Sequence, residues 1–345
     1  MKVGLEAFTI REISVDPFKQ LDFAKANGFD GVAFDEIGNL CAKRDARAEE
    51  AGFIPRAGLE ADVSLDVERL KAVRGYADGL GLYSCVSISA CNPIFVGREA
   101  RAVADTLKIQ IEALAEAGWH ELRSTMGGVD ERFGHPIPWK RHLEASAQVI
   151  CLLRPVLRAS GSRVNLETHG ESTTFELVRL VEELGPDIAG ITLDTANVLI
   201  HAENPVMAAK RAAPYAHLTH AKDGILYFSQ RGVTRQGRPA GQGVVDWEQV
   251  LPILHAANPE LPLSVEDHKW LFEIPVFEED WFIGHEDLSR AEFASVVKLA
   301  ADTSRRIADG RLPNPEEYER IPYREQMMDR LSSARDYLKG IVARL

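Results

Sequence analysis

The sequence predicts an α/β fold in which eight parallel strands, linked by helices, close into a (β/α)8 TIM barrel. Three observations predict it. First, β-like apolar runs alternate with helix-period segments along most of the chain, the pattern of repeated strand–helix units. Second, 345 residues suffice for one large barrel with extensions. Third, four short apolar runs each end in a side chain that can ligate a metal: Val-Asn-Leu-Glu167, Ile-Thr-Leu-Asp194, His-Leu-Thr-His220 and Leu-Ser-Val-Glu266. Asp194 follows Glu167 by 27 residues, His220 follows Asp194 by 26, and Glu266 follows His220 by 46. A parallel strand needs a crossover before the next begins, and a helical one takes most of about 30 residues. Ligands at the same end of successive strands converge if the sheet closes.

Residues 2–9 read as the first strand. Phe18, Leu21, Phe23 and Ala24 give helical spacing over 16–27, and Gly28 stops it. The second strand, 28–36, ends in Asp35 and Glu36. A charged helix is expected over 42–51. The run 53–60 is β-like but follows the second strand too closely for a helical crossover. It is read as part of an insertion near 38–65, edging the barrel mouth. An amphipathic helix over 67–80 leads to a strand over 82–90, which Asn92-Pro93 ends. A helix over 98–117 leads to a strand over 121–126, and a loop over 129–138 carries His135 between Gly134 and Pro136. A helix over 139–157 follows, with Pro155 expected to end or kink it. Further strands are expected at 163–168, 189–194, 216–221 and 261–266, with helices at 173–184, 204–213 and 246–256. Helices at 291–308 and 324–344 close the chain. This divides it into a barrel over 1–310 and a C-terminal helical arm over 311–345. The arm is expected to cover the barrel base or hold a partner subunit, either a small second chain or another copy.

The formal net charge is −12. A surface that tracks nucleic-acid phosphates should be basic, so DNA and RNA are poor partners. The four cysteines form no CxxC pair, which suits a reduced, cytoplasmic protein. Met1-Lys2-Val3 runs straight into the first strand pattern with no apolar leader, and no run approaches the length of a membrane span. No membrane partner is expected.

A lone acid at a strand end is most often a loop cap or a solvated charge. Four ligand side chains, each after an apolar run at a strand end, form a set. Three carboxylates and an imidazole make a hard, oxygen-rich site suited to one divalent ion, Mn²⁺ first, with Mg²⁺, Co²⁺ or Zn²⁺ as alternatives. Active sites of (β/α)8 enzymes lie at the C-terminal strand ends, where these residues fall. His135 is a free acid–base candidate, because a neutral imidazole suits proton transfer near pH 7. His169 and His268 share the strand parity of Glu167 and Glu266, and Lys222 that of His220. These are expected to face the barrel mouth as substrate-binding or supporting groups. Trp270, Phe272, Phe277, Trp281 and Phe282 either wall a pocket for a flat group or pack in a core or interface.

The stretches Leu166-Glu167-Thr-His, Leu193-Asp194-Thr-Ala-Asn, His220-Ala-Lys-Asp and Val265-Glu266-Asp resemble the metal motifs of the xylose isomerase-like barrels. That family includes sugar isomerases and epimerases of the tagatose 3-epimerase type, inosose dehydratases, hydroxypyruvate isomerases and apurinic endonucleases. The segment ending Val-Val-Asp246-Trp247 resembles the family's loop before its last helix–strand unit. The resemblance implies that Glu167, Asp194, His220 and Glu266 hold one ion. It also implies that Glu167 and Glu266 handle protons on opposite faces of a ketose or keto-sugar, giving isomerisation or epimerisation. Asn197 stands where the 3-epimerase pattern has a second histidine, a departure that counts against a free-ketose 3-epimerase and leaves Asn197 as a substrate-binding candidate. The aromatic stretch around Trp270, the C-terminal arm and His135 also resemble the large subunits of C-glycoside deglycosidases. Those use the same proton abstraction for elimination from a 3-keto C-glucoside; inosose-type dehydration is a further lyase outcome. An apurinic nuclease fits poorly with one ligand histidine and the acidic charge. A non-catalytic sugar-binding subunit fits poorly with an intact ligand set.

Overall fold

The computed structural model describes residues 1–41 and 65–345. The expected helix at 42–51 and strand at 53–60 lie outside the described residues.

Eight strands form a closed, all-parallel barrel. They are β1 (Lys2–Glu6), β2 (Gly31–Phe34), β3 (Tyr83–Ser87), β4 (Glu121–Ser124), β5 (Arg163–Glu167), β6 (Ala189–Asp194), β7 (Ala216–Ala221) and, as the eighth, β10 (Pro262–Val265). β10 pairs with β7 on one side and β1 on the other, which closes the ring. Barrel strands are covered on both faces, so their apolar runs are nearly continuous; all six residues of β6 are buried.

The interior is filled by a few large side chains over glycines. Tyr83 crosses the barrel and its hydroxyl lies 3.0 Å from Ser264 Oγ. Gly4 and Gly31 make room for it: a Cβ on either would come within 2.2 and 2.3 Å of Tyr83 atoms. That close approach is what requires glycine here.

Helices α1 (Pro17–Ala26), α3 (Val67–Gly79), α5 (Ala100–Glu116), α7 (Trp139–Ser160), α8 (Thr174–Leu184), α9 (Pro205–Ala212) and α10 (Trp247–Ala257) follow in the expected places, and the short helices α2 (Ile37–Cys41), α4 (Pro93–Val96) and α6 (Val129–Phe133) are additional. Their starts are written in the sequence. Asp16 caps α1, and Thr173 with Glu176 forms a reciprocal capping box on α8. Two local expectations need correction. Helix α7 runs through Pro155 to Ser160. Pro155 is exposed, so water can satisfy the carbonyl that loses its partner. The loop over 129–138 begins with the helical turn α6, whose first turn holds Asp130 and Glu131; Glu131 Oε2 accepts from Gly128 N–H at 2.5 Å.

The larger surprise follows β7. Strands β8 (Asp223–Phe228) and β9 (Val233–Arg238) form an antiparallel hairpin, and β11 (Leu271–Ile274) pairs with β9. Helices α11 (Glu279–Ile283), α12 (Arg290–Ala308), α13 (Pro315–Arg320) and α14 (Tyr323–Val342) complete the chain. α12 packs on β8, while α14 lies against β1, β10 and α10. Met327, Leu331, Ala334, Leu338 and Ile341 bury α14's inner face in the main core. Arg330 of α14 grips Asp267, just past β10, through Nε–Oδ2 at 2.7 Å and Nη2–Oδ1 at 2.5 Å. Among the described residues no helix is long and apolar enough to cross a membrane.

Candidate metal centre and active site

Glu167 ends β5, Asp194 ends β6, His220 lies at the end of β7 and Glu266 follows β10. Each offers one ligand atom, and these atoms all lie within 4.8 Å of one another. The barrel register therefore does what the sequence spacing required. β6 and β7 align Asp194 with His220, and β10 and β7 align Val265 with Ala221.

Each carboxylate is held by fixed donors. Asp194 Oδ1 accepts from the backbone N–H of Ala196 (2.9 Å) and Asn197 (2.8 Å). Glu167 Oε2 accepts from Arg123 Nε at 2.6 Å, and the same guanidinium reaches Ser87 Oγ. Lys222 Nζ sits 2.5 Å from Glu266 Oε1 and 3.4 Å from Asp194 Oδ2. His268 Nε2 lies 3.0 Å from Glu266 Oε1. One imidazole nitrogen, His220 Nδ1, stands between two carboxylates: 2.9 Å from Glu167 Oε1 and 2.8 Å from Glu266 Oε2.

Burial opposes charge on every one of these groups, and the outcome depends on its neighbours. It pushes the Glu167 carboxyl up, but Arg123 and His220 outweigh it and hold the pKa well below the ordinary value. Glu266 follows the same logic, with burial opposed and outweighed by Lys222, His220 and His268. Asp194 goes the other way: burial raises it more than Lys222 lowers it. Burial pulls His220 down, yet its carboxylate neighbours, Glu167 first, raise it to about 10.

These residues fit a divalent cation. One imidazole nitrogen flanked by two carboxylates marks a place built for positive charge. Asp194 Oδ2 is buried and makes no hydrogen bond, with Lys222 Nζ no nearer than 3.4 Å, and a cation would complete its bonding. Three carboxylates and one imidazole match the donor preference of Mn²⁺, Mg²⁺ or Zn²⁺.

The remaining predicted residues divide into two groups. Lys222, His268 and Asn197 meet the cage directly, Asn197 through its backbone N–H, while its Oδ1 accepts from Arg235 Nη1 at 3.2 Å. Trp270 is half exposed and meets His268 edge-on, with ring centroids 5.7 Å apart. His169 turns to Gly127 O (3.0 Å) and to buried Glu171 (3.3 Å), on the β4 side of the site. His135 stands apart in a relay of its own. Its Nδ1 lies 3.2 Å from His142 Nε2, and His142 Nδ1 lies 2.9 Å from Asn92 Nδ2. No hydrogen bond joins His135 to the cage among the described residues. Of the aromatics, Trp281 is buried and stacks on His285 at 3.9 Å, whereas Phe277 and Phe282 are exposed.

Sequence reasoning missed Glu6, Arg123 and Arg235. Glu6 is the last residue of β1, so the strand-end rule that found Glu167 would have found it. It is buried, Oε2 has no partner, and burial together with Glu266 and Asp35 raises its pKa to about 8. Arg123 lies inside β4, where a charge reads as an error until its partner Glu167 on the neighbouring strand β5 is known. Arg235 belongs to the hairpin that was not foreseen.

The comparisons with known proteins agree with this architecture. The structure resembles the 3-keto-D-glucoside 4-epimerase YcjR of E. coli, with TM-score 0.55 and 17% identity over 84% of this chain and all of that one. It also resembles the IolI protein solved with a bound zinc atom, with TM-score 0.55 and 17% identity over 89% of this chain and 99% of that one. At these identities the likeness is one of fold. In sequence, the chain is 28% identical over 120 residues to the uncharacterized protein YihM of Escherichia coli (strain K12); the match covers 35% of this chain and 37% of that protein. The model of the xylose isomerase-like TIM barrel matches residues 21–275, and the chain belongs to that family.

Proposed function

We propose that the protein is a divalent-metal-dependent enzyme acting on a ketose or keto-sugar. It removes a proton from the carbon next to the carbonyl, and isomerisation or epimerisation results. The observation that carries this reading is the convergence of Glu167, Asp194, His220 and Glu266, with their ligand atoms within 4.8 Å at the C-terminal mouth of the barrel. Glu167, Asp194, His220 and Glu266 would hold the ion, Mn²⁺ by preference. When bound, a divalent ion acts as a Lewis acid that stabilises negative charge developing on the sugar oxygens.

The protein's own groups supply the rest. Glu167 comes from β5 and Glu266 from β10, which lie on opposite sides of β6 and β7 in the ring. Two carboxylates so placed can take a proton from one face of a carbon and return one to the other. Lys222 and His268 fix Glu266, and Arg123 fixes Glu167, so both present their oxygens in set directions. Glu6, whose carboxyl is pushed up to about 8 by burial, Glu266 and Asp35, would serve as a proton donor. His135 serves on the loop side, oriented by His142 and Asn92.

A second reading uses the same first step for elimination, as in C–C cleavage of a 3-keto C-glycoside. The half-exposed Trp270 ring, edge-on to His268, favours it, because a flat aglycone could stack on its open face. The likeness to a protein named as a 3-keto-D-glucoside 4-epimerase supports a keto-sugar under either reading.

The test is metal content by elemental mass spectrometry on the wild type and on Glu266→Gln, purified without chelator. One equivalent of Mn, Co, Mg or Zn in the wild type, largely lost in the variant, is the expected result. No bound metal, and no uptake on adding Mn²⁺, sinks the mechanism. With metal present, incubation in D2O separates the branches: deuterium entering a recovered sugar marks isomerase or epimerase, and release of a phenol from a 3-keto C-glycoside marks lyase.

A further inference from the structure

Most arginines with little exposed side chain are matched to acids: Arg330 has Asp267, Arg132 has Glu176, Arg211 has Glu292 and Arg123 has Glu167. Among the described residues two buried arginines are not. Arg238 lies against the Tyr318 ring and donates to Gln236 Oε1 at 2.6 Å, whereas Arg235 is the one joined to the cage, through Asn197. It is 3% exposed, yet no carboxylate lies within 4.0 Å of it among the described residues. Its partner is neutral: Nη1 donates to Asn197 Oδ1 at 3.2 Å. Its Nε is buried with no hydrogen-bond partner. A guanidinium carries five donors in a planar fork and cannot escape its charge by losing a proton, so leaving it this poorly matched is costly.

The position is constructed. β9 places Arg235 opposite Leu226 on β8 and Phe272 on β11. Its Cγ passes over Gly224, where a Cβ would stand 3.4 Å away. Beyond it lies the cage: burial depresses the Arg235 pKa, and Asp194 and Glu266 are the acids that oppose this from a distance. Both are already engaged by Lys222. Around the centre, three carboxylates, Glu167, Asp194 and Glu266, face three permanent cations, Arg123, Lys222 and Arg235. A divalent ion added to that balance leaves an excess of positive charge, and ionised Glu6 would remove only part of it.

Resting on the function proposed above, we infer that the substrate is an anionic sugar, whose oxyanion is received by Arg235 beside the cage. The group is a carboxylate or a phosphate ester, both of which match the arginine fork. Arg235 is then the residue that separates a charged sugar from its neutral twin. The barrel supplies the cage, and the inserted hairpin supplies the choice.

The test uses three ligands of one skeleton, D-fructose, D-fructuronate and D-fructose 6-phosphate. Each is titrated calorimetrically into the Mn²⁺-loaded full chain, as wild type, Arg235→Gln and Arg235→Lys. Wild type is expected to bind one of the two anions at least tenfold more tightly than fructose, and which anion wins identifies the group. Arg235→Gln should erase the preference, and Arg235→Lys should keep part of it. Equal affinity for fructose and the anions, a preference that survives in Arg235→Gln, or no binding of any of the three overturns the inference. A second readout guards against a merely structural role. An unmatched buried cation burdens the free protein, so Arg235→Met should melt at a higher temperature than wild type without ligand. A lower melting temperature would mark Arg235 as a structural group and overturn the inference. Failure of metal loading would instead strike the proposed function, so the two are distinguishable.

Discussion

Replacing Arg330 by Met is expected to destabilise the protein by about 3–5 kcal/mol, the cost of breaking a buried ion pair by removing one partner. The structure puts this pair at the severe end. Both side chains are about 3–4% exposed, the guanidinium meets both carboxylate oxygens, and Arg330 also reaches the Tyr318 hydroxyl and Gly237 O. No other side-chain donor to the Asp267 carboxylate is seen among the described residues, so Arg330→Met leaves that carboxylate buried and alone. The double variant Asp267→Leu/Arg330→Met removes the orphan and should recover at least half of the loss, because swapping a whole buried pair for apolar groups is often near neutral. The assay is urea unfolding of the four proteins of the cycle at fixed pH, followed by far-UV circular dichroism, with the slope checked for constancy. A loss below about 1 kcal/mol in Arg330→Met, or a double variant no better than the single, would refute the reasoning. The result bears on the site because Asp267 is the next residue after Glu266. An α14 that has let go of Asp267 has also released the strand end that presents a cage carboxylate.

Three further outcomes follow from the same contacts. Burial raises the Glu203 pKa from 4.5 to about 7 against the pull of Thr174 and Arg211. The group's contribution is thus fully present below pH 4.5 and lost as pH rises through about 7, so Glu203→Gln should gain up to about 3 kcal/mol on wild type across that window; a constant stability difference between pH 4.5 and 7.5 would contradict this. Gly31→Ala places a Cβ 2.3 Å from the Tyr83 ring and should cost at least about 1–3 kcal/mol by overpacking, read as a lower urea midpoint. Asp223 accepts from the N–H groups of Gly224, Gly241, Gly243 and Val245 and from Trp247 Nε1. Asp223→Ala leaves these donors unmatched and should cost about 3 kcal/mol or more, with a red-shifted Trp247 emission as the spectroscopic sign; an unchanged spectrum would mean that water replaces the carboxylate without rearrangement.

The barrel was legible because its strands are buried on both faces, so local composition and final environment agree. The runs ending at Glu167, Asp194, His220 and Glu266 needed no tertiary knowledge. Each is a short apolar stretch stopped by a ligand, and parallel closure does the rest. The hairpin β8–β9 was not foreseen, although Ile225-Leu-Tyr-Phe and Val233-Thr-Arg-Gln carry β-like residues. Its two strands hold Asp223, Arg235 and Arg238, all buried, which defeats any rule that reads charge as exposure. Each charge is answered by a group remote in sequence: Asp223 by the loop to Trp247, Arg235 by Asn197, and Arg238 by the Tyr318 ring, 3.3 Å from its Cζ. Pro155 misled for the opposite reason. The rule against proline inside a helix holds where the lost hydrogen bond is buried, and Pro155 faces water.

On the proposed function, the division between barrel and insertion lets one scaffold carry a shared reaction and a private specificity. The cage residues sit on or next to strands whose register is fixed on both sides by parallel neighbours, so none can shift without disturbing the ring. Arg235 and Trp270 lie outside the ring: Arg235 is on β9, and Trp270 immediately precedes β11. That sheet meets the centre through Asn197 and His268. Its own support comes from α12, which packs on β8, and from the C-terminal helices, where Gln236 Nε2 donates to Pro315 O at 2.8 Å and to Glu319 at 2.9 Å. The helical extension α11–α14 is therefore tied to the site at two points. It holds β10 through Arg330 and Asp267, and it backs the sheet that presents Arg235. Changes in that region should alter which sugar binds before they alter whether the metal is held, because the cage is braced by the barrel and the sheet is braced by the extension.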